Sequence, residues 1–218
     1  MRNIQAALFD LDGTLTNTLQ DIADAMNRAL TLNGLPTFPV DDYRYLVGDG
    51  VKKLAERAVR ERRELAEQVQ GDYQAWYRDH TRVTTRPYDG IPELLRTLCD
   101  RGVKVCVFSN KPHADTVNVV RFFFPDIPFA DVRGQTAGVP VKPDPKGALL
   151  TAHAADVAPS DFVYLGDTST DMRCAVNAGM HAVGVTWGFR PAQELLDSGA
   201  QALISHPLEL LDLLTDDR

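Results

Sequence analysis

Two carboxylates lie one residue apart near the start of the chain, at Asp10 and Asp12, and Gly13 and Thr14 follow at once. The apolar run 6–9 before them is typical of a buried strand, and the glycine predicts a tight turn at its end. Because side chains alternate along a strand, both carboxylates are expected to lean the same way. Their mutual repulsion is costly unless a cation or a shared proton relieves it. Such a pair, with a metal ion, can perform phosphoryl chemistry, one carboxylate attacking while the other moves protons.

Three further polar clusters decide how this pair is interpreted. A D-x-D pair alone is more typical of a polar turn that closes a strand. However, Ser-Asn-Lys at 109–111 and Gly-Asp-Thr-Ser-Thr-Asp at 166–171 each follow a predicted strand, and Lys-Pro-Asp-Pro at 142–145 opens a predicted helix. Ligands of an open parallel sheet bind at the carboxyl ends of its strands. We therefore expect all four clusters to converge on one site.

Apolar periodicity places the elements that must position these clusters. Beyond the first strand, it predicts strands at 103–108, 162–165, 182–185 and 202–204. It predicts helices at about 91–101, 113–122, 145–155 and 171–178, and a loop rich in proline and glycine up to about 141. Strands that alternate with helices imply an α/β fold, with a parallel sheet covered on both faces.

A helical region interrupts this alternation directly after the first strand. A helix beginning near Leu19 ends at Gly34, and two or three more are predicted over 41–80, with breaks around 48–50 and at Gly71. This pattern indicates a helical cap inserted into an α/β core. The expected domains are a core, 1–15 and 82–218, and a cap, 16–81.

Composition limits the classes of partner. The chain of 218 residues has a formal net charge of −7 and a sequence pI near 5.2. This balance argues against a general binder of nucleic acid or of anionic membranes. The three cysteines are scattered, without zinc-ligand spacing, and fit a reducing cytoplasm. Without a signal peptide or an apolar run near about 18 residues, a cytoplasmic protein that does not enter the membrane is expected.

The four clusters, in this order and context, resemble the haloacid dehalogenase-like superfamily of phosphatases. The resemblance rests on D-x-D-G-T-L from Asp10, Ser109 after a strand, Lys142 in K-P-D-P, and G-D-T-x-x-D from Gly166. It covers the whole core. It implies a Rossmann-like parallel sheet with helices on both faces, an inserted α-helical cap of the C1 type, and a hydrolase that uses Mg²⁺.

The resemblance also implies a role for each matched residue. Asp10 would be the nucleophile that forms an aspartyl-phosphate, and Asp12 would protonate the leaving group and then activate water. Lys142 would neutralise charge on the phosphoryl group and on Asp10. Phosphate oxygens or other substrate groups would be held by Thr14, Ser109 and Asn110.

The implied metal site fits general chemistry. Mg²⁺ would lie between Asp10, Asp167 and the backbone carbonyl of Asp12, and Asp171 would hold either the waters of the metal or Lys142. A phosphomonoester dianion cannot approach a carboxylate unless its charge is offset, and one Mg²⁺ and one ammonium group provide that offset. Mg²⁺ prefers oxygen ligands, of which one or two are carboxylates.

The second carboxylate favours a phosphatase over a dehalogenase, because a dehalogenase of this fold needs no general acid two residues after its nucleophile. Four more stretches resemble the phosphoglycolate phosphatase branch, namely 47–51, 88–95, 109–112 and 186–189. The expected substrate is therefore a small phosphorylated metabolite, first of all 2-phosphoglycolate. Asn17 is a departure, since the branch usually has Asp there.

Several alternatives stay open at this stage. They are a phosphatase for another sugar phosphate or a nucleotide, a pyrophosphatase, a β-phosphoglucomutase-like phosphotransferase, a phosphonate hydrolase, and a regulatory module that binds a phospho-ligand without turnover. In the cap, Gly48 and Gly50 permit a tight turn that brings backbone N–H groups near an anion. Lys52 or Lys53 is expected to meet a substrate carboxylate, although two solvated lysines explain the pattern equally well. Either a monomer or a homodimer is compatible with the sequence.

Overall fold

The first apolar run forms a central strand of a six-stranded parallel sheet in the computed structural model, which describes residues 4–214. The strands of the described chain are β1 (Ala6–Phe9), β2 (Thr16–Asn17), β3 (Arg86–Pro87), β4 (Lys104–Pro112), β5 (Asp131–Gln135), β6 (Phe162–Gly166), β7 (His181–Val185) and β8 (Ala202–Ile204). The large sheet has the order β5-β4-β1-β6-β7-β8, and all its neighbours pair in parallel. The predicted α/β fold with a parallel sheet is confirmed.

Helices connect these strands. In chain order they are α1 (Leu19–Leu32), α2 (Tyr43–Leu46), α3 (Val51–Ala58), α4 (Ala66–Tyr77), α5 (Ile91–Asp100), α6 (His113–Phe123), α7 (Lys146–Ala155), α8 (Ser169–Ala178), α9 (Ala192–Asp197) and α10 (Glu209–Leu213). The helices that follow the sheet strands lie on both of its faces. None of the helices between residues 4 and 214 combines the length and apolar character needed to cross a membrane.

Strand β1 shows why the apolar run is continuous rather than alternating. Ala7 and Phe9 pack into one core cluster with α5 and α6, whereas Ala6 and Leu8 pack into the opposite cluster with α7 and α8. A central parallel strand buries both faces, so every residue along it must be apolar. This burial fixes the end of β1, and therefore the place of Asp10, at one edge of the sheet.

Helices α1 to α4, which we call the cap, have a hydrophobic cluster of their own. Tyr43 and Tyr77 are among its largest buried side chains. Gly71 lies inside α4 rather than at a break, so the predicted break there is wrong; the chain instead turns over 59–65. Nothing lies within 4 Å of the Cβ that a larger residue would place at Gly71, so this glycine is a helix residue without a packing role.

Two chain crossings join the cap to the sheet. Strands β2 and β3 pair as a short antiparallel ribbon. Beside it, the buried carboxylate of Asp21 accepts hydrogen bonds from the backbone N–H groups of Val83, Thr84 and Thr85, at 2.8–3.0 Å, and from both threonine hydroxyls. One side chain of α1 therefore holds the returning chain in place.

Strand β5 occupies part of the region predicted as a loop. Its residues, Asp-Val-Arg-Gly-Gln, include only one large apolar side chain, so the sequence pattern gave no strand signal. Among the strands that the structure describes, β5 lies at the sheet edge and pairs with β4 alone. The register between them shifts between Phe108 and Pro112, at the end of β4 that carries the 109–111 cluster.

Candidate active site

The polar clusters meet at the carboxyl edge of the sheet. Asp10 follows β1, Asp167 follows β6, and Lys111 lies near the end of β4. Lys142 precedes α7, and its ammonium group reaches back over the sheet edge to Asp10, 2.8 Å away. Residues that are more than 150 positions apart in the chain therefore form one buried group, as the strand-end argument predicts.

Lys142 lies between two carboxylates. Its Nζ is 2.8 Å from Asp10 Oδ1 as an ion pair and donates a 2.6 Å hydrogen bond to Asp171 Oδ1. It also donates to the carbonyl of Phe108 at 3.3 Å. Burial works against the charge of this lysine, but Asp10 and Asp171 outweigh that effect and raise the pKa of Lys142. The ammonium group is thus permanently charged and fixed beside Asp10.

Asp171 has a second task, because it belongs to the start of α8. Its Oδ2 accepts hydrogen bonds from the backbone N–H and the hydroxyl of Thr168, at 3.1 and 2.6 Å, completing a capping box. Tyr164 donates to its Oδ1 over a longer 3.4 Å. Both carboxylate oxygens are therefore occupied, which suits a residue that orients Lys142.

Asp167 is held from two sides. Thr14 donates its hydroxyl to Oδ1 at 3.1 Å, and the backbone N–H of Phe189 donates to Oδ2 at 2.8 Å. Glycines at 13 and 188 permit this approach, since a Cβ at either one would collide with the Asp167 side chain. Gly13 also has a φ of +92°, which disfavours any other residue.

Three buried carboxylates face one ammonium group. Oxygens of Asp10, Asp167 and Asp171 lie within 4.8 Å of one another. Burial and the charge of Asp171 raise the pKa of Asp10 to about 7 despite Lys142, and burial with the charges of Asp171 and Asp10 raises the pKa of Asp167 well above its usual range. The negative charge is concentrated in the protein interior, where it is costly without a counter-charge.

This donor set fits a hard divalent cation. Every side-chain donor in the group is an oxygen, which is the ligand that Mg²⁺ prefers. Asp10 Oδ1 is buried, and its ion pair with Lys142 at 2.8 Å leaves further lone pairs on this oxygen for a cation. Asp10 and Asp167 are the residues that would hold Mg²⁺. The side chain of Asp12 lies outside this group, and its predicted contribution, through the backbone carbonyl, stays a prediction.

Asp12 faces the cap instead. Lys111 Nζ donates to both oxygens of Asp12, at 3.0 and 3.1 Å, and to the hydroxyl of Tyr77 at 2.6 Å. Tyr77 is the last residue of α4, so this contact joins the cap to the sheet edge. Neither Lys111 nor Tyr77 was among the predicted site residues. The 109–111 cluster gave a signal for Lys111, whereas no local pattern distinguishes Tyr77 from a core tyrosine.

Ser109 and Asn110 both line the cavity between cap and core, as does Gly48. The Ser109 hydroxyl accepts the N–H of Lys111 at 3.2 Å and is available to a ligand as a donor. Asn110 Nδ2 donates to the carbonyl of Gly48 at 2.9 Å, and its Oδ1 accepts the N–H of Lys142 at 2.8 Å. Its amide therefore connects cap and core, and its predicted contact with the substrate stays a prediction.

Thr14 and Lys52, which were also predicted to contact the substrate, lie outside the cavity lining. Thr14 does not line the cavity; its hydroxyl is buried against Asp167, because the tight turn at Gly13 directs it toward β6. Lys52 and Lys53 are exposed on the outer face of α3, and Lys53 pairs with Glu56 at 2.8 Å. Helical periodicity directs Leu54 rather than the lysines toward the cavity. Asn17 is exposed and lies outside the cavity lining.

The segment after β7 forms another connection between cap and core. The Phe189 side chain packs into the cap's hydrophobic cluster. Arg44 of α2 donates to the carbonyl of Gly188 at 3.0 Å, and Arg190 donates to the carbonyl of Val47 at 3.2 Å. Residues 186–189 resemble a stretch of the phosphoglycolate phosphatase branch, and that resemblance implied no role for them. These contacts close the cap over a cavity with about 550 Å³ of empty space, part of it open to solvent.

Comparison with known proteins agrees with this geometry. The sequence profile of haloacid dehalogenase-like hydrolases matches residues 7–185. A phosphoglycolate phosphatase from Psychrobacter arcticus is 30% identical over 201 residues, covering 88% of this chain and 87% of that protein. An N-acetylmuramic acid 6-phosphate phosphatase from Pseudomonas aeruginosa is 31% identical over 224 residues, covering 97% of this chain and 95% of that protein.

Solved structures share the whole architecture. A phosphoglycolate phosphatase candidate from Lactobacillus delbrueckii subsp. bulgaricus superimposes with a TM-score of 0.92 at 28% identity, covering 99% of this chain and 100% of that one. The fold and the family profile agree with the resemblance that the four clusters indicated. The chain therefore belongs to the haloacid dehalogenase-like hydrolase family, within which it is a phosphatase.

Proposed function

We propose that this chain is a Mg²⁺-dependent phosphatase that hydrolyses a small phosphomonoester, 2-phosphoglycolate first of all, through an aspartyl-phosphate on Asp10. The observation that carries this proposal is the 2.8 Å ion pair between Asp10 and Lys142, at a cavity that Asp12 also lines. A nucleophile, a fixed positive charge and a second carboxyl group thereby lie beside one space that a substrate can enter.

In the first step, a carboxylate oxygen of Asp10 attacks the phosphorus atom and the bond from phosphorus to the leaving oxygen breaks. Lys142 stays charged beside Asp10 and offsets the negative charge of the phosphoryl group. Ser109 offers its hydroxyl to a phosphoryl oxygen. A bound Mg²⁺ would supply further charge neutralisation at Asp10 and Asp167.

Asp12 moves the protons. Its carboxyl group protonates the leaving alkoxide, and in the second step the resulting carboxylate takes a proton from the water that attacks the aspartyl-phosphate. Water then carries the phosphoryl group away as inorganic phosphate, and Asp10 is regenerated. Asp10 contacts Lys142, whereas Asp12 contacts Lys111. Because their surroundings differ, the two carboxyl groups can have different tasks.

The relatives support the choice of substrates. Several relatives at about 30% identity are named phosphoglycolate phosphatases. One relative, at 31% identity and covered over 95% of its length, is named for N-acetylmuramic acid 6-phosphate, which makes that compound the second candidate. Both compounds are phosphomonoesters that carry a carboxylate, but N-acetylmuramic acid 6-phosphate is larger and also carries hydroxyl groups and an acetamide.

Phosphate release by the purified protein tests the proposal, with 2-phosphoglycolate, N-acetylmuramic acid 6-phosphate, other sugar phosphates, nucleotides and pyrophosphate as substrates. We expect release that requires Mg²⁺, stops in EDTA and is absent from Asp10→Asn. Transfer of the phosphoryl group to another position of a sugar, without net release, would indicate a phosphotransferase instead. Release that persists in Asp10→Asn would contradict the aspartyl-phosphate.

A further inference from the structure

The two sides of the cavity differ in character. The core contributes carboxylates, a hydroxyl and the Lys111 ammonium group. The cap contributes side chains that are almost entirely carbon, together with the glycine turn before α3; the side chains are Ile22, Val47, Val51, Leu54, Tyr73 and Tyr77. Hydroxyl groups of a polyol that faced these cap side chains would lose their hydrogen bonds to water and gain few hydrogen-bond partners from the cap. The cap therefore favours a substrate that directs few polar groups toward the cap side of the cavity.

Among the described residues that line the cavity, Lys111 is the only cation. Lys142 lies behind Asp10, and Lys52 and Lys53 are on the outside of the cap. A second anionic group on a substrate must be desolvated in a cavity that already contains Asp10 and Asp12, and it needs a positive partner there. Lys111 is the partner that the cavity offers.

The surroundings of Lys111 fix its ammonium group in this place. Burial opposes its charge, but Asp12 together with nearby groups outweighs burial and raises the pKa of Lys111. The Lys111 carbonyl accepts the hydroxyl of Thr116 at 3.3 Å, and the residue belongs to β4. The ammonium group has three donors, of which two are directed at Asp12 and one at Tyr77. A substrate carboxylate can replace one Asp12 oxygen while the other oxygen keeps its bond.

We infer that Lys111 is the specificity-determining residue of this phosphatase and binds a carboxylate of the substrate, with Tyr77 holding the ammonium group in place from the cap. This inference rests on the proposed function and extends it to a substrate class: phosphomonoesters that also carry a carboxylate. It replaces the cap lysines, which the sequence pattern suggested for this role. Because Tyr77 belongs to α4, the carboxylate is bound only where cap and core meet.

Matched substrate pairs test the inference. Ethyl phosphate has a methyl group where 2-phosphoglycolate has its carboxylate, and N-acetylglucosamine 6-phosphate lacks the lactyl ether group that carries the carboxylate of N-acetylmuramic acid 6-phosphate. The first pair tests a small substrate and the second a large one. We expect the wild-type protein to prefer the carboxylated member of at least one pair. We define the preference as kcat/KM for the carboxylated compound divided by kcat/KM for its partner without the carboxylate. A variant that loses activity equally on both compounds leaves this ratio unchanged.

Lys111→Met keeps the length of the side chain and removes its charge. We expect the preference to fall about 10- to 100-fold, as for the loss of a hydrogen bond between two charged groups, mainly through KM for the carboxylated compound. Lys111→Arg should retain most of the preference. Tyr77→Phe, which removes only the hydroxyl, should lower the preference less. Lys52→Met is the matched control, because it removes a lysine charge from the outer face of the cap and should leave the ratio unchanged.

Equilibrium binding to Asp10→Asn provides a readout that does not depend on turnover. The Asp10→Asn protein should bind 2-phosphoglycolate more tightly than ethyl phosphate, and adding Lys111→Met should remove the difference. An unchanged ratio in both Lys111→Met and Tyr77→Phe, or equal hydrolysis of both members of each pair by the wild type, would overturn the inference and leave the proposed function intact. Absence of hydrolysis for every phosphomonoester would instead overturn the proposed function.

Discussion

The backbone N–H of Phe189 donates a 2.8 Å hydrogen bond to Asp167 while the ring of the same residue is buried in the hydrophobic cluster of the cap. One residue therefore contacts a candidate metal ligand and the core of the cap at once. The position of the cap and the orientation of Asp167 are mechanically connected through a single backbone unit.

Phe189→Ala tests this connection. Removing a buried phenyl ring should lower the free energy of unfolding by about 3–5 kcal/mol, and the loosened segment should raise the Mg²⁺ concentration needed for half-maximal activity. Thermal unfolding and Mg²⁺ titration of phosphate release measure the two effects. Phe122→Ala, at an exposed phenylalanine, is the control and should change neither. A destabilised variant with unaltered Mg²⁺ dependence would show that the two ends of Phe189 act independently.

Asp10 gives a prediction for the dependence of stability on pH in EDTA. Its pKa is about 7 in the folded chain, against a usual value of 3.8. The folded chain therefore binds an extra proton between these values, and its stability falls as pH rises across that window. Asp10→Asn should remove this part of the loss and should be more stable than the wild type at pH 8, by on the order of 1 kcal/mol or more. Chemical denaturation between pH 5 and pH 8 measures this difference; equal slopes for the two proteins would contradict it.

Metal binding should stabilise the protein through the same carboxylates. Mg²⁺ added to the EDTA-treated wild type should raise its Tm, because a ligand that binds only the folded chain shifts the unfolding equilibrium. Asp167→Asn removes one of the two proposed ligands and should lose both this increase and phosphatase activity. Asp100→Asn, at an exposed carboxylate at the end of α5, should respond to Mg²⁺ like the wild type. If Mg²⁺ raised the Tm of Asp167→Asn as much as that of the wild type, Asp167 would not be a ligand of the cation.

The contribution of the junction between cap and core to stability can be measured through Asp21. Burial opposes its ionisation, but hydrogen bonds from Thr84 and Thr85 outweigh burial and lower the pKa of Asp21. Asp21→Asn removes a charge that accepts five hydrogen bonds and should cost about 2 kcal/mol of stability. Proteolysis should accelerate within 83–85. Asp24→Asn, at an exposed carboxylate on the same helix, is the matched control.

The parts of the site that the sequence predicts are those that follow strands. Asp10 and Asp167 could be placed because an apolar run identifies a strand and its end identifies the edge of the sheet. Although Lys142 follows no strand, its cluster could be expected at the same site, whereas its contact with Asp10 came only through the resemblance. The direction of a side chain in the turn after β1 was not predictable, and Thr14 accordingly faces Asp167 rather than the cavity.

The cap was harder to predict for a physical reason. Its helices show which residues are apolar, but not which part of the sheet edge they will cover. The contact of Tyr77 with Lys111 depends on the angle at which α4 lies over β4, and that angle is set by several distant connections, including Asp21 and Phe189. Lys52 illustrates the same limit, because a one-residue rotation of α3 decides whether a lysine faces the cavity or solvent.

Asp171 anchors Lys142 and also begins helix α8 through its capping box with Thr168. A substitution of Asp171 therefore removes both the contact that orients Lys142 and the cap that stabilises the start of α8. We expect related proteins that have lost the activity to have lost Ser109 or Asp10 first and to have kept Asp171. A substitution at Asp171 would also destabilise the fold, and the protein would then fail to accumulate. A related protein that keeps the capping box of Thr168 and Asp171 but lacks the nucleophile at Asp10 would therefore be recognisable as one that descends from an active phosphatase.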